Sequence, residues 1–219
     1  MSKLIVGNWK MNGSLNLIDE FVSGVDDRVV LGLPAVFISY AHSRNPKLKI
    51  AAQDCSIFSG TGAHTGEVSA DLLVASGCSY VIIGHSERRK TSDLDSIQNV
   101  LRKLQNAVSA GMTAILCVDE DYSDLLDEKT VSFIKNRTDA VVLAYEPLSA
   151  IGTGVVPSVS EISRVLQTLK DKYFGIRTLY GGSVNSKNSK EILSADFVDG
   201  VLVGGASLKL QEINDIAQG

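Results

Sequence analysis

The 219-residue chain sets 21 Lys plus Arg against 25 Asp plus Glu, a formal net charge of −4, which argues against nucleic acid or an anionic membrane as the main partner. A chain this long suits one domain, residues 1–219, with a substantial core. The three cysteines, Cys55, Cys78 and Cys117, are odd in number and form no Cys-x-x-Cys pair, so they suggest neither a disulfide framework nor a zinc site.

The first aliphatic run, Leu4–Val6, is too short for a signal-peptide core or a membrane span, so a soluble cytoplasmic protein is expected. Similar runs follow at Arg28–Leu33, Leu48–Ala52, Tyr80–Ile83, Thr113–Val118, Ala140–Tyr145, Ile176–Leu179 and Gly200–Val203, and together they read as eight strands. Their near-continuous hydrophobicity is what parallel strands covered on both faces require. Between them lie helical patterns at Glu67–Ser76, Asp93–Ala110 and Ser158–Lys172. In the second, Leu94, Ile97, Leu101, Leu104 and Val108 recur at spacings of three and four. Eight β-then-α units without a linker predict a single (β/α)₈ barrel with a closed parallel eight-stranded sheet, rather than a doubly wound sheet.

Polar and glycine-rich residues collect just after the strands, at the end where barrels of this kind carry their active sites. Lys10 follows the first strand in Gly7-Asn8-Trp9-Lys10 and can project a cation over the mouth, although a lone lysine there equally reads as solvated surface, and Trp9 alone reads as packing. His85 stands where the fourth strand ends and a helix starts, a place that disfavours imidazolium. A neutral His85 could donate to a substrate oxygen; the plainer alternative is a turn histidine. His42 reads as surface, and His64 lies in a loop that could serve an interface. Glu146 ends the sixth run at the rim, and Pro147–Gly154 has the composition of a hinged tip, or of a static loop. Gly181-Gly182-Ser183 and Gly204-Gly205 follow the last two strands, where loop amides can hold phosphate. The absence of Gly-x-Gly-x-x-Gly and Walker patterns disfavours a nucleotide. Asp119-Glu120-Asp121 has no histidine neighbour and reads as a solvated loop rather than a metal site, and Cys117 reads as an inert core thiol.

Taken together, Gly7-Asn8-Trp9-Lys10-Met11-Asn12, Gly62-Ala63-His64-Thr65-Gly66-Glu67, Gly84-His85-Ser86-Glu87-Arg88-Arg89, Tyr145-Glu146-Pro147, Ile151-Gly152-Thr153-Gly154, Tyr180-Gly181-Gly182-Ser183 and Val203-Gly204-Gly205-Ala206-Ser207 resemble the triosephosphate isomerase family in order and spacing along the whole chain. The resemblance implies interconversion of dihydroxyacetone phosphate and glyceraldehyde 3-phosphate, a step of glycolysis and gluconeogenesis, with no cofactor and no metal. It assigns Glu146 as the base and His85 as the neutral electrophile, a division for which that family is itself the worked case. Lys10 and Asn8 then face the enediolate and phosphate, Glu87 orients Lys10, and Trp9 belongs to the same motif at the binding site. Ile151 and Gly152 form a lid, and the amides of Gly152, Ser183, Gly204 and Gly205 grip the dianion.

The chain departs from the family pattern at Leu148-Ser149, where a bulkier pair including tryptophan is usual, at Asp119, in place of a glycine, and at His64, in place of an aromatic. It is also short for the family, chiefly in the first helical segment and between Glu120 and Asp139. A homo-oligomer is therefore expected, a dimer through Gly62–Glu67 or a tetramer. Two rivals remain at this stage. The first is another phosphosugar isomerase or an aldolase, the aldolase favoured by a Schiff-base lysine at a strand end, of which none besides Lys10 is seen; the second, a non-catalytic barrel, would have lost Glu146, His85 or Lys10.

Overall fold

The computed structural model describes residues 2–91, 95–119, 126–147 and 156–219. Eight strands, β1 (Leu4–Asn8), β2 (Val29–Leu33), β3 (Lys49–Ala52), β4 (Tyr80–Ile83), β5 (Thr113–Val118), β6 (Val141–Tyr145), β7 (Arg177–Tyr180) and β8 (Gly200–Val203), follow one another round a closed, all-parallel barrel. The ring closes where β1 pairs with β8, Leu4 opposite Gly200 and Gly7 opposite Val203. The expected closed sheet is what forms, with strand ends shifted by one or two residues.

Both strand faces are buried, for different reasons. Alternate residues, such as Leu4 and Val6 on β1, Ile115 and Cys117 on β5 and Val142 and Ala144 on β6, fill the barrel interior. Their neighbours, such as Ile5, Leu116 and Leu143, face outward under the helices. Two apolar faces erase the polar alternation a one-sided sheet would show, which is why the strands read as continuous runs.

Nine α-helices and one 3₁₀ turn lie among the described residues. They are α1 (Leu15–Gly24), α2 (Ala35–Arg44), α3 (Ala70–Ala75), α4 (Ser86–Thr91), α5 (Ile97–Ser109), α6 (Glu128–Lys135), α7 (Val159–Lys172), α8 (Ser189–Ser194), a 3₁₀ turn at Gly205–Leu208, and α9 (Leu210–Gln218). Side-chain caps set several starts: Ser14 for α1, Ser69 for α3, Asp127 for α6 and Ser158 for α7 each accept an N–H of the first turn. The helix expected over Glu67–Ser76 begins only at Ala70, because Val68 is engaged as the acceptor of the Ser56 N–H and Ser69 caps. The helix expected over Asp93–Ala110 begins at Ile97, with Ser96 extended and Asp95 held in ion pairs; Asp93 and Leu94 lie outside the described residues.

On α5 the apolar stripe carries an inclusion that periodicity does not reveal. Lys103 is 2% exposed, and its ammonium sits 2.9 Å from Asp54 and 2.8 Å from Asp95. Arg88 reaches the same two carboxylates at 2.7 and 2.9 Å. Two cations therefore share two anions, which keeps each buried charge paired. His42, expected at the surface, instead packs into the space above Gly77, where an added Cβ would fall 2.3 Å from its ring.

Barrel closure depends on a missing side chain. A Cβ on Gly200 would lie 2.0 Å from the Leu4 carbonyl oxygen, so any larger residue pushes β8 off β1. Gly200→Ala should lower unfolding free energy by about 1–3 kcal/mol, read in urea from the fluorescence of Trp9, the chain's one tryptophan. An unchanged midpoint would show that β1 and β8 are not so tightly closed.

Candidate active site

The inward face of the barrel turns polar at its carboxyl end. On β1 the inward series Leu4, Val6 continues to Asn8, and on β6 the series Val142, Ala144 continues to Glu146. Strand alternation thus delivers an amide and a carboxylate to the mouth without any special loop. Backbone bonds extend the sheet one residue past β6: Glu146 N–H donates to Val118 at 2.7 Å, and Gly181 N–H donates to Tyr145 at 2.8 Å. Glu146 is 2% exposed.

Gly181 permits that position. A Cβ there would stand 2.9 Å from Glu146 Cγ and 3.3 Å from the Tyr145 carbonyl oxygen. The Gly-Gly-Ser segment, read from sequence as part of a phosphate cup, therefore also makes room for the carboxylate.

His85 occupies the junction of β4 and α4, and its carbonyl accepts the N–H groups of Arg88 and Arg89 at 2.9 and 3.1 Å. Its ring is held at both nitrogens. The Glu87 N–H donates to Nδ1 at 3.2 Å, and Nε2 lies 2.9 Å from Glu146 Oε1. That geometry makes Nδ1 an acceptor and leaves Nε2 as the nitrogen placed to donate to the carboxylate. The Ser86 N–H adds a longer contact to Glu146 Oε2 at 3.4 Å. The Cys117 side chain faces the barrel interior, where burial first, and then the Glu146 carboxylate, push its thiol well above the usual range. Burial likewise pushes Cys55 and Cys78 up to about 12, so all three are free but protonated.

Lys10 adopts a left-handed backbone, φ 54°, with its N–H on Asn8 Oδ1 at 3.0 Å. Its ammonium lies 2.5 Å from Glu87 Oε1. Partial burial opposes ionisation of Glu87, but the Lys10 ammonium outweighs it and holds the carboxyl below its usual range. α4 thus ties Glu146, His85 and Lys10 together: Ser86 and Glu87 contribute backbone N–H groups, and Glu87 its carboxylate.

These groups border a cavity of 330 Å³ whose walls include Asn8, Lys10, His85, Glu146, Ser183, Gly204 and Gly205. That volume suits a small molecule. Part of the wall is glycine, and a Cβ on Gly205 would meet nothing within 4 Å, so an anion can approach the chain closely there. A second cavity, of 270 Å³, is bordered by Gln53, Asp54, Arg88 and Lys103. Asp54, Arg88 and Lys103 are already paired there, and among the described residues no histidine borders it. The first cavity is the candidate site.

Of the residues picked out from sequence, the structure brings together Asn8, Lys10, His85, Glu87, Glu146, Ser183, Gly204 and Gly205. Trp9 is not brought there: it is 1% exposed and packs edge-on against Phe21, ring centroids 4.8 Å apart, in the layer under α1. The cause is alternation, since Asn8 faces in and Trp9 must face out. Ile151 and Gly152 lie outside the described residues. Asp119, read as part of a solvated loop, is 5% exposed and ion-paired with Arg89, which also donates to the carbonyls of Gly84 and Cys117. Asn185 and Leu202 also border the cavity and carried no sequence signal. Among the described residues no three His, Cys, Asp or Glu side chains are grouped as metal ligands.

Residues 3–219 match the family model described as triosephosphate isomerase. The triosephosphate isomerase of Francisella tularensis subsp. novicida is 36% identical over 245 residues, covering 99% of this chain and 96% of that one. That of Taenia solium is 38% identical over 238 residues, covering 94% of each. The crystal structure of triosephosphate isomerase from Bartonella henselae superposes with a TM-score of 0.80 at 30% identity, covering 100% of this chain and 98% of that one. Over its full barrel, in sequence and in structure alike, the chain belongs to the triosephosphate isomerase family and is an isomerase.

Proposed function

We propose that the protein interconverts dihydroxyacetone phosphate and D-glyceraldehyde 3-phosphate through an enediol(ate), with Glu146 as the base and neutral His85 as the electrophile. The observation that carries this reading is the His85 ring, which accepts from Glu87 at Nδ1 and offers an Nε2–H 2.9 Å from Glu146. A triose phosphate entering the cavity takes over that Nε2–H at its carbonyl oxygen and leaves the Glu146 carboxylate facing the adjacent carbon. Glu146 removes a proton from that carbon and returns it to the next, while Nε2–H and the Lys10 ammonium stabilise the charge gathering on oxygen. A neutral imidazole suits this role because its Nε2–H polarises the substrate oxygen without bringing a full positive charge beside it.

The phosphate lies against Ser183, Gly204 and Gly205, and Asn8 and Lys10 bridge that end to the reacting carbons. Ile151 and Gly152, by resemblance to the family, close over the phosphate and keep water from the enediolate, whose phosphate would otherwise be expelled. Isomerisation moves two protons, one on carbon and one on oxygen, and two electrons within one molecule, so the reaction calls for no redox cofactor. The setting we propose is glycolysis and gluconeogenesis in the cytoplasm; no helix among the described residues is long and apolar enough to cross a membrane.

In a coupled assay from glyceraldehyde 3-phosphate, Glu146→Asp should lower kcat by about 10²-fold, because the carboxylate retreats by one methylene. His85→Gln should lower kcat by roughly 10²–10⁴-fold. Wild-type inactivity, or variants as active as wild type, would overturn the assignment.

We further propose a homo-oligomer, a dimer through the Gly62–Glu67 loop or a tetramer. Met11 is 97% exposed and Val36 81%. In the loop His64, where the family usually has an aromatic, stacks on half-exposed Phe58 with ring centroids 3.6 Å apart. Apolar surface of this kind favours a protein partner. Light scattering at micromolar concentration should give at least twice the 23.4 kDa chain mass, and a monomer would contradict the proposal.

A further inference from the structure

The loop after β7 supplies Ser183 to the cavity, yet its shape is held by a residue outside the cavity. We infer that Asn188 is a positioning residue that presets the 183–188 loop for a phosphate dianion. The Asn185 N–H donates to Asn188 Oδ1 at 2.8 Å, and Asn188 Nδ2 donates to the Ser183 carbonyl at 3.0 Å. One amide therefore spans both arms of the turn. Only this orientation of the amide satisfies both partners, because one needs an acceptor and the other a donor.

The consequence is electrostatic as well as steric. A carbonyl oxygen directed at an incoming dianion would repel it, and Asn188 turns the Ser183 carbonyl toward the start of α8 instead. The peptide is planar and trans, so fixing that carbonyl also fixes the direction of the following N–H. Other bonds hold the rest of the same loop: Asn185 Oδ1 accepts the Lys187 N–H at 2.9 Å, and Glu212 Oε1 on α9 accepts the Ser186 N–H at 2.8 Å. The Ser189 N–H donates to the Asn185 carbonyl at 2.9 Å and joins the turn to α8. These bonds anchor the turn to its scaffold through Asn185 and Ser186, and the Asn188 amide ties the cavity-bordering Ser183 to the same turn. A loop ordered in advance spares the substrate the entropy of ordering it.

The inference rests on the proposed isomerase reading, and its test separates the two. Asn188→Ala removes both bonds. Asn188→Asp keeps the acceptor for the Asn185 N–H but sets a carboxylate oxygen against the Ser183 carbonyl. Each variant is compared with wild type in kcat/KM for glyceraldehyde 3-phosphate, in kcat/KM for D-glyceraldehyde, which lacks the phosphate, and in the affinity for inorganic phosphate by calorimetry. We expect a loss of about tenfold or more for the phosphorylated substrate and a parallel loss of phosphate affinity. The slow D-glyceraldehyde reaction should stay within about twofold of wild type, since it uses no phosphate contact. Equal losses on both substrates would mark Asn188 as merely structural and overturn the inference, as would unchanged values. If Asn188→Ala does not fold, Asn188→Asp carries the comparison. If wild type turns over neither triose, the isomerase reading fails by itself, while phosphate affinity still decides for or against Asn188.

Discussion

Two hydrogen bonds of opposite sense to one imidazole organise everything else at the mouth of this barrel. The Glu87 N–H fills the acceptor of His85 at Nδ1, and Nε2–H is thereby the only donor the ring has, pointed at Glu146. That arrangement needs His85 and Glu146 to reach nearly the same level across β5, and the register provides it: Ile83 pairs with Leu116 and Leu116 with Leu143, which leaves His85 two residues and Glu146 three beyond one level. It needs the first turn of α4 to present its N–H groups inward, which the carbonyl of His85, capping that helix, ensures. It also needs room behind Glu146, which Gly181 leaves open. His85, Glu146 and Lys10 therefore come from three separate strand ends, and none of them could be placed without closure of the sheet.

Charge in this protein is handled by pairing rather than exposure. Glu87 holds Lys10 over the cavity, and Asp119 holds Arg89 against the ends of β4 and β5. The group of Lys103, Arg88, Asp54 and Asp95 locks α4 and α5 to the loop after β3. Buried ion pairs add little net stability over apolar packing of the same volume, because desolvation offsets attraction. Their value here is in orientation: α4 carries both Arg88 and Arg89, and it is the helix that sets His85 and Glu87.

The barrel was legible in the sequence because two buried faces leave long apolar runs that nothing but a covered parallel sheet explains, and eight such runs recur. Lys10, His85 and Glu146 were legible because each follows a strand run, and the barrel brings such positions to one end. Trp9 was placed wrongly, at the cavity rather than under α1, since a motif lists neighbours in sequence while a strand sends neighbours to opposite faces. Lys103 escaped notice because a buried lysine inside a helix looks like one of its solvated face, and its partners lie 49 and 8 residues away in sequence. The second role of Gly181, like the amide bridge of Asn188, belongs to spacing across the fold and leaves no local pattern to read.

The account turns on the protonation of a single ring. Nitrogen NMR of ¹⁵N-labelled protein at neutral pH, with the His85 signals assigned by their loss in His85→Gln, measures it directly. The account predicts an unprotonated, hydrogen-bond-accepting Nδ1 and a protonated Nε2. Protons on both nitrogens, or a proton on Nδ1 alone, would contradict it.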